Sequence, residues 1–95
     1  MSWRVELSKR VKKTVDELPS EVQTGFWLLV QEIAQRGPVR FNWPHYGRLH
    51  PRYENRHHCH LKGGRPTYVV CWEVKDKRIQ LVEVYYAGSH EKAPY

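Results

Sequence analysis

The chain has 95 residues and a formal net charge of +6, with a sequence pI near 9.6. That length holds one compact domain and excludes a second. No stretch approaches the roughly 20 apolar residues of a membrane helix. The first ten residues lack the apolar run of a signal peptide, so the expectation is a cytoplasmic protein with no membrane partner.

The charge is unevenly spread. Residues 38–65 hold six cations (Arg40, Arg48, Arg52, Arg56, Lys62 and Arg65) against one acid, Glu54, and five of the six histidines. A local positive field of this kind favours a polyanion such as nucleic acid, or an acidic protein. A merely soluble basic surface is the plainer alternative, and charge alone does not choose.

In chain order, residues 2–7 alternate apolar and polar and read as a half-buried strand. Ser8 fits an N-cap, and Val11, Val15 and Leu18 follow at helical spacing with cations on the other side. Pro19 breaks this helix. Ser20 with Gln23 matches a capping box, and Val22, Phe26, Leu29, Val30 and Ile33 mark the buried stripe of a second helix ending at Gly37-Pro38. The two helices form an antiparallel hairpin.

Residues 38–51 carry three prolines, lack a clean period and read as a long loop, which in a small domain is often functional. Three strands follow, 52–62, 67–74 and 78–86, joined by Gly63-Gly64 and Lys75-Asp76-Lys77 as an antiparallel meander. The last nine residues read as a polar tail. The expected architecture is α+β, one β-α-α-β-β-β domain over residues 1–95, with the helical hairpin on one face of a mostly antiparallel sheet. Cys59 and Cys71 lie in the strands and read as small, reduced, buried residues. Trp3, Phe26, Trp27 and Trp72 read as core.

Strand period sorts the first meander strand. Tyr53, Asn55, His57, Cys59 and Leu61 face the helices. Arg52, Glu54, Arg56, His58, His60 and Lys62 face the other way, a row of imidazoles and cations. Metal-free RNA cleavage by a 2′-hydroxyl needs two proton-transfer groups, fixed cations for the phosphorane-like transition state, and often a ring to hold a base. His58, His60, Lys62, Arg65, His90 and Tyr95 supply that set. The alternative is plain exposed surface, with residues 90–95 an unstructured end. The run His57-His58-Cys59-His60 looks ligand-rich. In a strand, however, its members diverge, and no second pair sits at zinc-finger spacing. No metal and no other cofactor is expected.

The run His58-Cys59-His60-Leu61-Lys62, the glycine turn, the strand ending Cys71-Trp72-Glu73-Val74, the lysine-aspartate turn and the stretch Val84-Tyr85-Tyr86-Ala87-Gly88-Ser89-His90-Glu91 together resemble the RelE/ParE toxin superfamily. The likeness is nearest to RelE/YafQ-like mRNA interferases, which have a similar Cys-His strand and a Gly-Thr-His motif near the end. It covers nearly the whole chain in element order. The resemblance implies the toxin of a type II toxin–antitoxin system, a ribosome-dependent mRNA endonuclease that acts in the ribosomal A site and is held by an antitoxin. It implies catalytic roles for His60, His90, Arg65 and Tyr95, and RNA contacts from His58, Lys62, Arg56, Arg52 and Arg48. His45 or His50 matches a further loop histidine. An acidic residue that YafQ-like chains carry after the strand histidine is Gly63 or Gly64 here. A ParE-like inhibitor of DNA gyrase on the same fold, or a family member that only binds antitoxin, are the alternatives.

Overall fold

The computed structural model describes residues 2–48, 55–61 and 66–94. Strand β1 (Arg4–Leu7) leads through Ser8 into helix α1 (Lys9–Asp16), and helix α2 (Ser20–Arg36) follows. Among the described residues the remaining strands are β2 (Gly47–Arg48), β3 (Arg56–His60), β4 (Tyr68–Asp76) and β5 (Leu81–Ser89), and a 3₁₀ turn spans His90–Lys92. The sheet runs β1-β5-β4-β3-β2. β3, β4 and β5 form the expected antiparallel meander, while β1 lies parallel to β5. The parallel pair follows from the helical hairpin, which returns the chain to the end of the sheet where β1 began.

Ser8 caps α1 as its position implies, its Oγ accepting from the Val11 N–H at 3.1 Å. The capping box of α2 does not form. Pro19 is the N-cap residue and makes no side-chain cap bond. The Gln23 side chain instead donates to the Leu18 carbonyl at 2.9 Å and the Asp16 carbonyl at 3.2 Å, closing the end of α1. The short Pro19 connection brings those orphan carbonyls within its reach, so α1's need outcompetes α2's. Gly37 ends α2 at φ 99°, a left-handed value that favours glycine.

Val11, Val15, Val22, Phe26, Leu29 and Ile33 from the helices meet Cys59, Val70, Trp72, Val74, Val82, Val84 and Ala87 from the sheet. Trp72 and Phe26 are fully buried, and the Trp72 indole N–H donates to the Pro38 carbonyl at 3.0 Å. Trp27, read from sequence as core, is 48% exposed, its ring edge-on to Phe26. It stands one residue past the buried position 26, about 100° around the helix.

The polar tail is also corrected. β5 continues to Ser89, with Ala87 and Gly88 buried, because β4 pairs with it as far as Tyr68↔Ser89. The turn before β5 covers residues 77–80, later than the expected Lys75-Asp76-Lys77. Asp76 Oδ1 accepts the Arg78 and Ile79 N–H groups there, and Gln80 takes φ 53°. The long loop contains the two-residue strand β2, paired to β3 through Gly47↔His58 and Arg48↔His57.

Candidate functional site

Strand alternation separates the histidines as expected. His57 and Cys59 are buried on the helix side, while Arg56, His58 and His60 stay partly accessible on the other. His57 is 3% exposed. Its Nδ1 is 2.7 Å from the Tyr46 hydroxyl, and its ring stacks on Trp72 at 5.8 Å and 8°. It is a core residue with a polar partner.

The opposite face is not bare. Val69 and Cys71 are fully buried yet stand apart from the main core cluster. In register, Val69 lies between His60 and Gly88, and Cys71 between His58 and Tyr86. Imidazoles and tyrosines therefore roof a thin second apolar layer. Burial pushes the Cys59 and Cys71 thiols up to about 12, which leaves both protonated and inert.

Above that layer three imidazoles meet. The His45 ring stacks on His60 at 4.3 Å and 29°, and the His90 ring stands edge-on to His60 at 5.4 Å and 70°. His60 comes from β3, His90 from the 3₁₀ turn after β5, and His45 from the loop before β2. Burial holds the His60 pKa below the ordinary 6.5, and the neighbouring His45, His90 and His58 imidazoles lower it further. His58 is lowered by burial first, then by His90 and His45. Among the described residues, both shifts come from burial and from other histidines. A neutral imidazole at pH 7 accepts a proton.

His45 is held by its loop. Glu32, on α2, accepts three bonds at one oxygen: Asn42 Nδ2 at 2.8 Å, Arg40 Nη1 at 3.1 Å and Trp43 Nε1 at 3.1 Å. The Asn42 bond is the largest influence holding its carboxyl below the usual range, with the Trp43 and Arg40 bonds adding to it against burial. The Pro44 carbonyl then takes the His60 N–H at 2.8 Å, and His45 adopts φ 53°. That left-handed turn lays its ring over His60. Sequence left His45 and His50 open. His45 is the one seen beside His60, and His50 lies outside the described residues. Glu32 was missed altogether. Its signal was an acid between the buried positions Leu29 and Ile33, eight residues before Arg40.

The cations divide. Arg56 Nε is 3.2 Å from Glu73 Oε2, and its guanidinium lies 5.5 Å from the centre of the Tyr85 ring, so part of its charge is neutralised within the protein. Arg48 sits on β2, opposite His57. Arg52, Lys62, Arg65 and Tyr95 lie outside the described residues, as do Tyr53 and Glu54. Among the described residues no group of three or more His, Cys, Asp or Glu is placed to hold a metal ion. No described helix is long and apolar enough to cross a membrane.

No family model and no curated protein matches the chain. Solved structures do. A mutant of the E. coli toxin RelE in the free state superposes with a TM-score of 0.72 over 98% of this chain and 88% of that one, at 16% identity. A chain of the archaeal RelE–RelB complex from Pyrococcus horikoshii gives 0.67 over 98% and 100%, at 16% identity. A chain of the YoeB–YefM complex from Staphylococcus aureus gives 0.67 over 95% and 99%, at 9% identity. The chain has the α+β fold of the RelE-like toxin superfamily.

Proposed function

We propose that this chain is the toxin of a type II toxin–antitoxin system and acts in the cytoplasm as a metal-independent endoribonuclease on mRNA in the ribosomal A site. The observation that carries the reading is the His45–His60–His90 contact on the sheet face away from the helices. His60, the imidazole with lowered pKa, takes the proton of a 2′-hydroxyl, whose oxygen attacks the adjacent phosphorus. His90 protonates the leaving 5′-oxygen. Arg65 and Lys62 balance the transition-state charge, and Tyr95 positions the RNA. His58, Arg48, Arg52 and Arg56 contact the strand, and Arg56 must share itself with Glu73. The partner in the resting state is a cognate antitoxin.

The test is end-group analysis of mRNA cleaved during translation, with primer extension to find the cuts. Products should end in a 2′,3′-cyclic phosphate or 3′-phosphate and begin with a 5′-hydroxyl, and cleavage should survive EDTA. Intact mRNA alongside poisoned DNA gyrase would move the ParE-like reading ahead. A 5′-phosphate product, or loss of cleavage on chelation with recovery on adding zinc, would sink the proton-transfer mechanism.

A further inference from the structure

Residues 40–46 make two turns in succession. The Trp43 N–H donates to the Arg40 carbonyl at 3.0 Å, which leaves Phe41 and Asn42 at the tip of the first. The Tyr46 N–H donates to the Trp43 carbonyl at 3.2 Å, which leaves Pro44 and His45 at the tip of the second. The second turn lays His45 over His60. The first is tied to a single Glu32 oxygen through the side chains of Arg40, Asn42 and Trp43. Phe41 is the remaining residue of that turn, and its side chain goes the other way.

Phe41 is 84% exposed, more than Trp27, Leu28 or Ile79. The loop's other two aromatics turn inward, since Trp43 and Tyr46 pack against the core. The Phe41 ring meets Tyr46 at 5.2 Å and 78°, an edge contact that leaves a Phe41 face open. A lone apolar side chain in water is ordinary. This one is carried on a turn that a buried-side carboxylate fixes, so its open ring is held in place before anything binds.

The ring is also close to the imidazoles. Phe41 touches Tyr46, Tyr46 follows His45 in the chain, and His45 stacks on His60. The loop wraps the β2 end of the sheet there, with Tyr46 stacked on His57 on the helix side and His45 on the other. Residues 38–48 hold Arg40 and Arg48 and no carboxylate, and Glu32 offsets only Arg40. A partner lying here meets positive charge and a flat open ring. A nucleic acid strand offers phosphates to the first and bases to the second, whereas an acidic side chain answers only the first.

We propose that Phe41 is a stacking platform for a base flanking the cut, where the mRNA leaves the sheet across its β2 end. This rests on the endoribonuclease reading. It adds to that reading a binding residue away from the reacting atoms and separate from Tyr95.

The experiment uses the full chain on ribosomes programmed with an mRNA whose attacking 2′-oxygen is methylated, which blocks cleavage. The fluorescent base 2-aminopurine is placed in turn at each position flanking the blocked site. At one of those positions the wild-type chain and Phe41→Tyr should quench it, and Phe41→Ala and Phe41→Leu should not. Leucine keeps the apolar bulk and loses the flat face, so it separates stacking from plain apolar contact. On cleavable mRNA the Ala and Leu variants should raise KM roughly 5- to 150-fold, the size of one base–aromatic stack. Their kcat should stay within about twofold, because binding away from the reacting atoms is lost equally from ground and transition states. Phe41→Tyr should keep the wild-type KM, and all three variants should keep the wild-type urea midpoint. An unchanged KM for Phe41→Ala, quenching retained by Phe41→Leu, or weakened binding of the adjacent-frame polypeptide with KM unchanged would each overturn the proposal. If the wild-type chain neither cuts nor binds programmed ribosomes, the endoribonuclease reading falls and the platform with it. If the wild type cuts and Phe41→Ala cuts with the same KM, only the platform falls.

Discussion

His57 and His58 are adjacent in the chain and have opposite surroundings. The first is sealed between Tyr46 and Trp72 with its ring nitrogen bonded, and the second lies in the imidazole field on the far side of the sheet. One strand thus carries a structural histidine and a candidate functional row, separated only by the two-residue period. The comparison teaches that a histidine-rich run is not one site. Its members must be sorted by face before any role is assigned.

Four experiments break or sharpen that contrast. The largest effect is expected on the far face. His60→Ala and His90→Ala should each slow single-turnover cleavage by roughly a hundred- to ten-thousand-fold, as loss of a general acid or base does. Their unfolding midpoints in urea should stay near wild type. Wild-type rates for both would remove the imidazoles from the chemistry.

On the near face the balance reverses. His57→Ala removes a stacked, buried ring and its bond with the Tyr46 hydroxyl. It should cost about 2–4 kcal/mol in equilibrium unfolding, from lost packing plus the lost bond. His58→Ala should cost under about 1 kcal/mol by the same measurement. Equal costs would mean that the two faces are not energetically distinct.

Glu32→Gln tests whether the loop clamp serves the far face. It keeps the shape but loses the charge that gathers Asn42, Arg40 and Trp43. Cleavage should fall about tenfold through misplaced His45, with a smaller loss of stability, roughly 1 kcal/mol. A change in stability alone would make the clamp purely structural.

The smallest effect is in acid. His58 and His60 have folded pKa values below 6.5, so the unfolded chain binds more protons as the pH drops past that value. Their contribution is fully present above pH 6.5 and is lost as the pH falls toward the folded pKa values. Glu32 and Glu73 are likewise lowered from 4.5, and their contribution is lost in a second, more acidic step. Urea midpoints between pH 8 and 3 should fall in these two stages. In the His58→Ala/His60→Ala double variant the first stage should flatten. A midpoint that rises on acidification would contradict the sign.

Much of this was legible in the chain because it depends on neighbours a few residues away. The Ser8 cap, the helical spacing of Val22 to Ile33, the Gly37 stop and the alternation through His57 to Leu61 are local rules of backbone geometry. They set the element order, the meander and the faces on which His57, His58 and His60 stand. What stayed hidden depends on partners far along the chain. Gln23 abandons its expected cap for carbonyls that only the bend at Pro19 brings near. Tyr85 becomes a bulge only against β4, and β5 runs on to Ser89 only because Tyr68 is there to pair. The imidazole cluster joins residues 45, 60 and 90, and the Glu32 clamp joins a helix to a loop. The sequence by itself determined the elements and their faces, since hydrogen-bond spacing and side-chain period act over a turn or a pleat. Only the tertiary structure decided which histidines touch and which acid holds their loop, because those depend on how distant segments are brought together.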